Sequence, residues 1–121
     1  MDLILYGIPN CDTVKKARTW LAGRNIDYRF HDFKKAGVSR ELVDHWLVRL
    51  PWESLVNTRG ATWRGLPQEQ RNAVVDADSA TALMLASPSV IKRPVLALAA
   101  GLHVGFTLQQ YEQLFAAQAA A

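Results

Sequence analysis

A chain of 121 residues has the size of one domain, long enough to bury a core and too short for two ordinary ones. Half of it is hydrophobic and 21% is charged, which excludes a disordered polymer. The apolar stretches in MDLILYG and from Val95 to Ala100 fall far short of the roughly 18 to 20 residues that cross a bilayer, so no membrane association is expected. The net charge of +3 is spread over small basic groups separated by acids, whereas a nucleic-acid surface needs a denser stripe, so no nucleic-acid partner is expected either. One cysteine without a secretory leader fits a reducing cytoplasm.

Leu3, Ile4 and Leu5 read as a short buried strand meeting a turn at Tyr6-Gly7, which Ile8, Pro9 and Asn10 continue. From Asp12, Val14, Ala17 and Leu21 recur at helical spacing until Gly23 permits an end. Ile26 to Phe33 reads as a second strand centred on Tyr28 and Phe30. After Gly37 the pattern becomes helical: Ser39 caps a helix whose apolar face is Leu42, Val43, Trp46, Leu47 and Leu50, and Pro51 opens a short helix containing Leu55. Asn57 to Gly60 reads as a loop continued by Trp63-Arg64-Gly65, followed by helices over Pro67 to Val75 and Asp78 to Ala86. Val95 to Ala99 and Leu102 to Val104 form a hairpin about Ala100-Gly101. Thr107 with Gln110 then makes a capping box for a last helix facing the core with Leu108, Tyr111, Leu114 and Phe115, and fraying from Ala116 to Ala121. The order is βαβ, helices, ββα: a single α/β domain over residues 1–121, with a mixed four-stranded sheet and a helical insertion at about 38–90.

Cys11 stands where the first strand's turn gives way to the first helix. If the first helix starts there, free N–H groups and the helix dipole favour a thiolate, with Lys15 one turn on, and such positions lower a thiol pKa below its free value of about 8.5; an inert structural cysteine and an adventitious surface one are the alternatives. Sharper motifs fail on spacing. Val14 stands where a dithiol would carry its second cysteine, so any disulfide of Cys11 is with another molecule. Ala17 stands where a cysteine phosphatase loop needs arginine. His31, His45 and His103 lack metal-ligand spacing, so no metal is expected. Ahead of the third strand, Ile91-Lys92-Arg93-Pro94-Val95 sets an Arg-Pro corner that could deliver a planar anion-binding guanidinium to the sheet end where Cys11 emerges; Lys92 and Arg93 read equally as solvated charge.

YGIPNCDTVKKAR, LVNTRGATWRGL and IKRPV together, in this order and spacing, resemble the arsenate reductase (ArsC)/Spx family, most closely its YffB-like branch, from about Leu3 to Phe115. The resemblance implies a thioredoxin-like fold with a helical insertion and a redox or nucleophilic thiol at Cys11. It implies anion-binding arginines at Arg59 and at Arg93, the latter before the family's cis-proline, here Pro94. A third family arginine in the hairpin corresponds best to His103. The anion-binding neighbourhood is expected to comprise Asn10, Asp12, Thr13 and Lys15 around the helix start, with Arg59, Arg93, Pro94 and His103. Glutathione or a glutaredoxin is implied as the source of the second thiol, with no bound cofactor. Gly7 and Asp12 depart from the arsenate reductases, which carry histidine four positions before the nucleophile and glycine after it. That argues against efficient arsenate reduction, and Val14 removes the CxxC switch common in Spx regulators.

The expected function is therefore a cytoplasmic, monomeric, glutathione-dependent monothiol reductase acting on mixed disulfides or a small oxyanion. Arsenate reduction and a non-catalytic regulator that binds RNA polymerase are the alternatives.

Overall fold

The computed structural model describes residues 3–119. Strands β1 (Ile4–Gly7), β2 (Arg29–Asp32), β3 (Val95–Leu98) and β4 (Gly101–Val104) form one mixed sheet in the order β2-β1-β3-β4. β1 pairs with β2 in parallel through the crossover helix α1 (Asp12–Gly23), and β3 runs antiparallel to both β1 and β4. Between β2 and β3 lie α2 (Phe33–Ala36), α3 (Arg40–Leu47), α4 (Trp52–Leu55), α5 (Ala61–Arg64), α6 (Gln68–Asn72), α7 (Ala77–Ala86) and a 3-10 turn at Pro88–Val90; α8 (Leu108–Ala119) closes the chain. This is a thioredoxin-like α/β fold with helices inserted between its two halves.

The alternation of side chains along the central strands makes two cores. Tyr6 and Val95 face the insertion, where they meet Trp46, Leu55, Met84 and Ile91. Leu5 and Leu96 face the other way onto Ala17 and Leu21 of α1 and Tyr111 of α8. Trp46 is fully buried with its ring edge-on to Tyr6 at 5.2 Å, and Tyr111 stands edge-on to Trp20 at 5.6 Å and to Phe106 at 4.6 Å.

The helix starts follow their capping residues. Ser39 Oγ accepts from the Leu42 amide at 3.1 Å, and Thr107 Oγ1 from that of Gln110 at 3.0 Å. Asp76 and Ser79 form a reciprocal capping box, which starts α7 at Ala77.

Several expected boundaries move. The first strand extends to Gly7, and the second begins only at Arg29, because α1, which ends at Gly23 as expected, is followed by a turn with Asn25 in the left-handed region at φ 56°. Phe33 belongs to α2, since Asp32 Oδ1 accepts from the Lys34 amide and caps that single turn. The stretch expected to be loop up to Gly65 contains the one-turn α5, too short to leave a periodic signature. The helix expected over Pro67 to Val75 is confined to Gln68–Asn72. The hairpin turn is Ala99-Ala100, because Gly101 already pairs with Leu98. The expected fraying begins inside α8, which continues to Ala119; residues 120–121 lie outside those described.

At the sheet's C-terminal edge β1 and α1 approach without room for a side chain. A Cβ at Gly7 would lie 2.8 Å from Val14 Cγ2 and 3.3 Å from Cγ1. Val14 is fully buried and its β-branched side chain is stiff, so it cannot yield cheaply. Gly7→Ala is expected to lower unfolding stability in urea by about 1 to 3 kcal/mol, and Val14→Ala added to it should recover part of that loss. Equal stability of wild type and Gly7→Ala would contradict the contact.

Candidate active site

The turn after β1 ends with the Cys11 amide donating to Ile8 O at 3.2 Å, and Cys11 then takes an extended backbone (φ −90°, ψ 125°) as the N-cap of α1. Serine, threonine or aspartate would ordinarily offer an oxygen to the next free amides; here the N-cap residue is a cysteine, whose side chain makes no capping hydrogen bond. Partial burial pushes the Cys11 thiol up. The nearby Val14 and Thr13 amides and the Arg93 side chain with its charge outweigh it, so the thiol lies below its usual range.

Arg93 is held from behind. Its Nη1 donates to the carbonyls of Ser89 at 2.7 Å and Ile91 at 3.2 Å, while its buried Nε has no partner. The Arg93-Pro94 bond is cis, and the carbonyl of buried Pro94 accepts from the Gly105 amide at 2.9 Å. Among the described residues the ion pair is Arg24 with Glu112, on the far helices, so no carboxylate neutralises Arg93.

The NTRG loop is built by its asparagine. Asn57 Oδ1 accepts from the Arg59 amide at 3.2 Å, and a Cβ on Gly60 would lie 2.8 Å from Asn57 Nδ2. Two backbone bonds join this loop to the Arg-Pro corner: the Asn57 amide donates to Val90 O at 2.8 Å and the Lys92 amide to Leu55 O at 2.7 Å, flanking an antiparallel bridge between Val56 and Ile91.

The resulting cleft, about 370 Å³, has Cys11, Thr13 and Arg93 on one side and Asn57 and Lys92 on another; the third wall is Val104 to Thr107 with Gln110. Arg59 lines an adjoining cleft of about 240 Å³ together with Glu53, Ser54 and Thr58. Asn57, Lys92 and Val104 belong to both, so the two arginines serve neighbouring compartments of one depression.

The other expected site residues lie elsewhere. Asn10 and Asp12 are exposed and line neither cleft, and Lys15 points along α1 to a separate groove. His103 pairs with Leu96, so its side chain takes the α1/α8 face of the sheet, opposite to Val104; burial holds its imidazole below the usual range. A contact of His103 with an anion in the Cys11 cleft is thus not what the fold provides. The cation found there instead is Lys92, whose Cε would lie 3.6 Å from a Cβ on Gly105, at the end of the hairpin. Asn57, Phe106, Thr107 and Gln110 were likewise not expected as lining; only adjacency to NTRG and the helix cap hinted at Asn57 and Thr107. The described residues contain no helix long and apolar enough to cross a membrane, and no cluster of three or more metal-ligating side chains.

The chain is similar to known proteins along most of its length. The model of the ArsC family matches residues 6–114. The solved structure of a YFFB protein is 45% identical with a TM-score of 0.86, covering 92% of this chain and 96% of that one. A solution structure of an arsenate reductase (ArsC) related protein from Brucella melitensis is 53% identical with a TM-score of 0.76, covering 95% of each chain. An uncharacterized protein of Haemophilus influenzae is 36% identical over 114 residues, 94% of this chain and 99% of its own length. The chain belongs to the ArsC family.

Proposed function

We propose that this protein is a monothiol reductase that resolves mixed disulfides at Cys11 with glutathione as the second thiol. The observation that carries the reading is a lone cysteine serving as a helix N-cap beside an arginine with no acid partner. Two of the three influences that stabilise a thiolate, helix amides and a fixed cation, are then present without any second cysteine.

Glutathione is a tripeptide thiol with two carboxylates, and the residues of the depression suit it. Arg93 and Lys92 flank the sulfur, Arg59 occupies the neighbouring compartment, and Asn57, Thr13 and Thr107 offer neutral polar groups. Cys11 thiolate attacks a disulfide sulfur, and the Arg93 fork holds negative charge near the reacting atoms. The adduct on Cys11 is then opened by a second glutathione thiol, which a reducing cytoplasm supplies. A small oxyanion such as arsenate would use the same cations and is the second substrate to assay. The regulator reading draws less support: large exposed hydrophobic side chains on the insertion amount to Val48 and Val75 among the described residues, while α3 turns Arg40, Glu41, Asp44 and His45 outward.

The first measurement is the pH dependence of Cys11 alkylation. Its midpoint should lie below the free-thiol value of about 8.5, and Arg93→Ala should move it upward. A wild-type midpoint at or above that value removes the activation on which the reading stands. By linkage, the folded state then gains stability over Cys11→Ser as pH rises toward the unfolded thiol's pKa, and loses that gain as pH falls through the folded value.

Turnover of mixed disulfides over a glutathione series supplies the second test. Cys11→Ser should be inactive. Alanine at Arg93, Lys92 or Arg59 should each cost about 1.5 to 3 kcal/mol in kcat/KM, a roughly 10- to 150-fold loss. Lysine at Arg93 should restore only part, because it cannot reach both the Ser89 and Ile91 carbonyls while facing the sulfur. Wild-type rates in all three alanine variants would reject the cation roles and keep the thiol; wild-type rates in Cys11→Ser would reject the enzyme.

A further inference from the structure

Beside the cationic cleft lies a second depression of opposite character. It holds about 440 Å³ and is lined by Lys15, Lys16, Thr19 and Trp20 of α1 with Phe106 and Leu108. Its floor is apolar. Leu108 is 55% exposed although it opens a helix whose other large apolar residues turn inward, and Trp20 and Phe106 pack on Tyr111 while keeping part of their surface outside. Its rim is basic: Lys15 and Lys16 are exposed, no acid lines the groove, and neither lysine makes an ion pair among the described residues.

Two features tie this groove to the thiol. Phe106 lines both it and the Cys11 cleft, so the groove begins where the cleft ends. Lys15 also lies one helical turn from Cys11, its amide donating to the Cys11 carbonyl at 2.9 Å. A substrate attacked at Cys11 therefore has an anion-holding depression on one side and an apolar, lysine-rimmed one on the other. The tripeptide half of a mixed disulfide is polar and doubly anionic and suits the first; the second calls for a different chemistry.

We infer that the Trp20–Phe106–Leu108 groove is the subsite for the leaving half of the disulfide, and that it selects a small thiol bearing an aromatic or branched apolar group with an acidic substituent. This rests on the reductase reading. Cys11 thiolate bonds to the glutathionyl sulfur, the disulfide bond breaks, and its electron pair leaves with the groove-bound thiolate, which takes a proton from solvent. A second glutathione thiolate then attacks the glutathionyl sulfur on Cys11 and releases glutathione disulfide and the Cys11 thiolate. Per cycle one mixed disulfide and one glutathione become one free thiol and one glutathione disulfide.

The test has one arm that needs only the thiol and one that needs turnover. In the first, Cys11 is alkylated by N-(2-phenylethyl)iodoacetamide and by iodoacetamide, each rate normalised to that on free glutathione. The phenylethyl reagent should gain about tenfold on the protein, the scale of burying one apolar group, and Leu108→Glu should abolish the gain. Glutamate at that exposed first-turn position is compatible with the helix. In the second arm, glutathione mixed disulfides of 2-phenylethanethiol, its para-carboxylate and 2-mercaptoethanol are compared. The ring should raise kcat/KM about tenfold, and the carboxylate should add about threefold that high salt removes. A normalised alkylation ratio within about twofold of unity, or one that Leu108→Glu leaves unchanged, overturns the subsite. Equal turnover of the three disulfides also overturns it while leaving the reductase in place. A clear alkylation preference with no turnover of any disulfide supports the subsite beside Cys11 and overturns the reductase.

Discussion

The active region depends on a bridge of two backbone hydrogen bonds. Asn57 to Val90 and Lys92 to Leu55 tie the end of the insertion to the approach to β3, and all else in the depression is placed relative to that tie. The acceptor side is dry, since Leu55, Val56, Val90 and Ile91 are each at most 4% exposed, while the donor residues Asn57 and Lys92 border the clefts. In such surroundings an unmade backbone bond costs its full desolvation penalty, about 1 to 3 kcal/mol, so the bridge does not open casually. The insertion is therefore less an ornament on a thioredoxin-like fold than the part that carries one arginine to the neighbourhood of the other.

The thiol shows how a local rule becomes chemistry. A helix start must find acceptors for its free amides, and placing sulfur there makes the same amides stabilise its ionised form. Gly7 and Val14 belong together in this light. Valine occupies the position a dithiol would give its second cysteine, and its methyl groups fill the volume that any side chain at residue 7 would need. Val14 thus both excludes a side chain at residue 7 and stands in place of a second cysteine, leaving a single sulfur at the helix start.

Much of this was legible in the chain, for identifiable reasons. The central strands, α1 and α3 announce themselves because each buries one periodic face, and Ser39 and Thr107 are caps with a direct mechanism, whereas the Asp76 cap of α7 was not expected. The one-turn helices at Phe33–Ala36 and Ala61–Arg64 are shorter than the period by which helices are recognised, so the first reads as a strand end and the second as loop. The motifs flagged Cys11, Arg59 and Arg93, but not their partition into two compartments, which is decided by the bridge. Lys92 and His103 could not be told apart as cation sources along the chain. Strand pairing separates them, because the Leu96–His103 register turns that histidine to the opposite face.

Arg93 has one more consequence. Its guanidinium is fastened to two carbonyls, keeps a buried Nε–H without an acceptor and has no carboxylate beside it. A fixed charge of that kind recruits a counter-ion from the medium, most strongly an oxyanion that can accept from several N–H groups at once. If the protein is the reductase proposed above, phosphate and sulfate in a buffer compete with its substrate for the same donors. Activities measured in phosphate will understate those measured in a zwitterionic buffer at equal ionic strength, and the difference reports how much of the site's binding is directed to an anion.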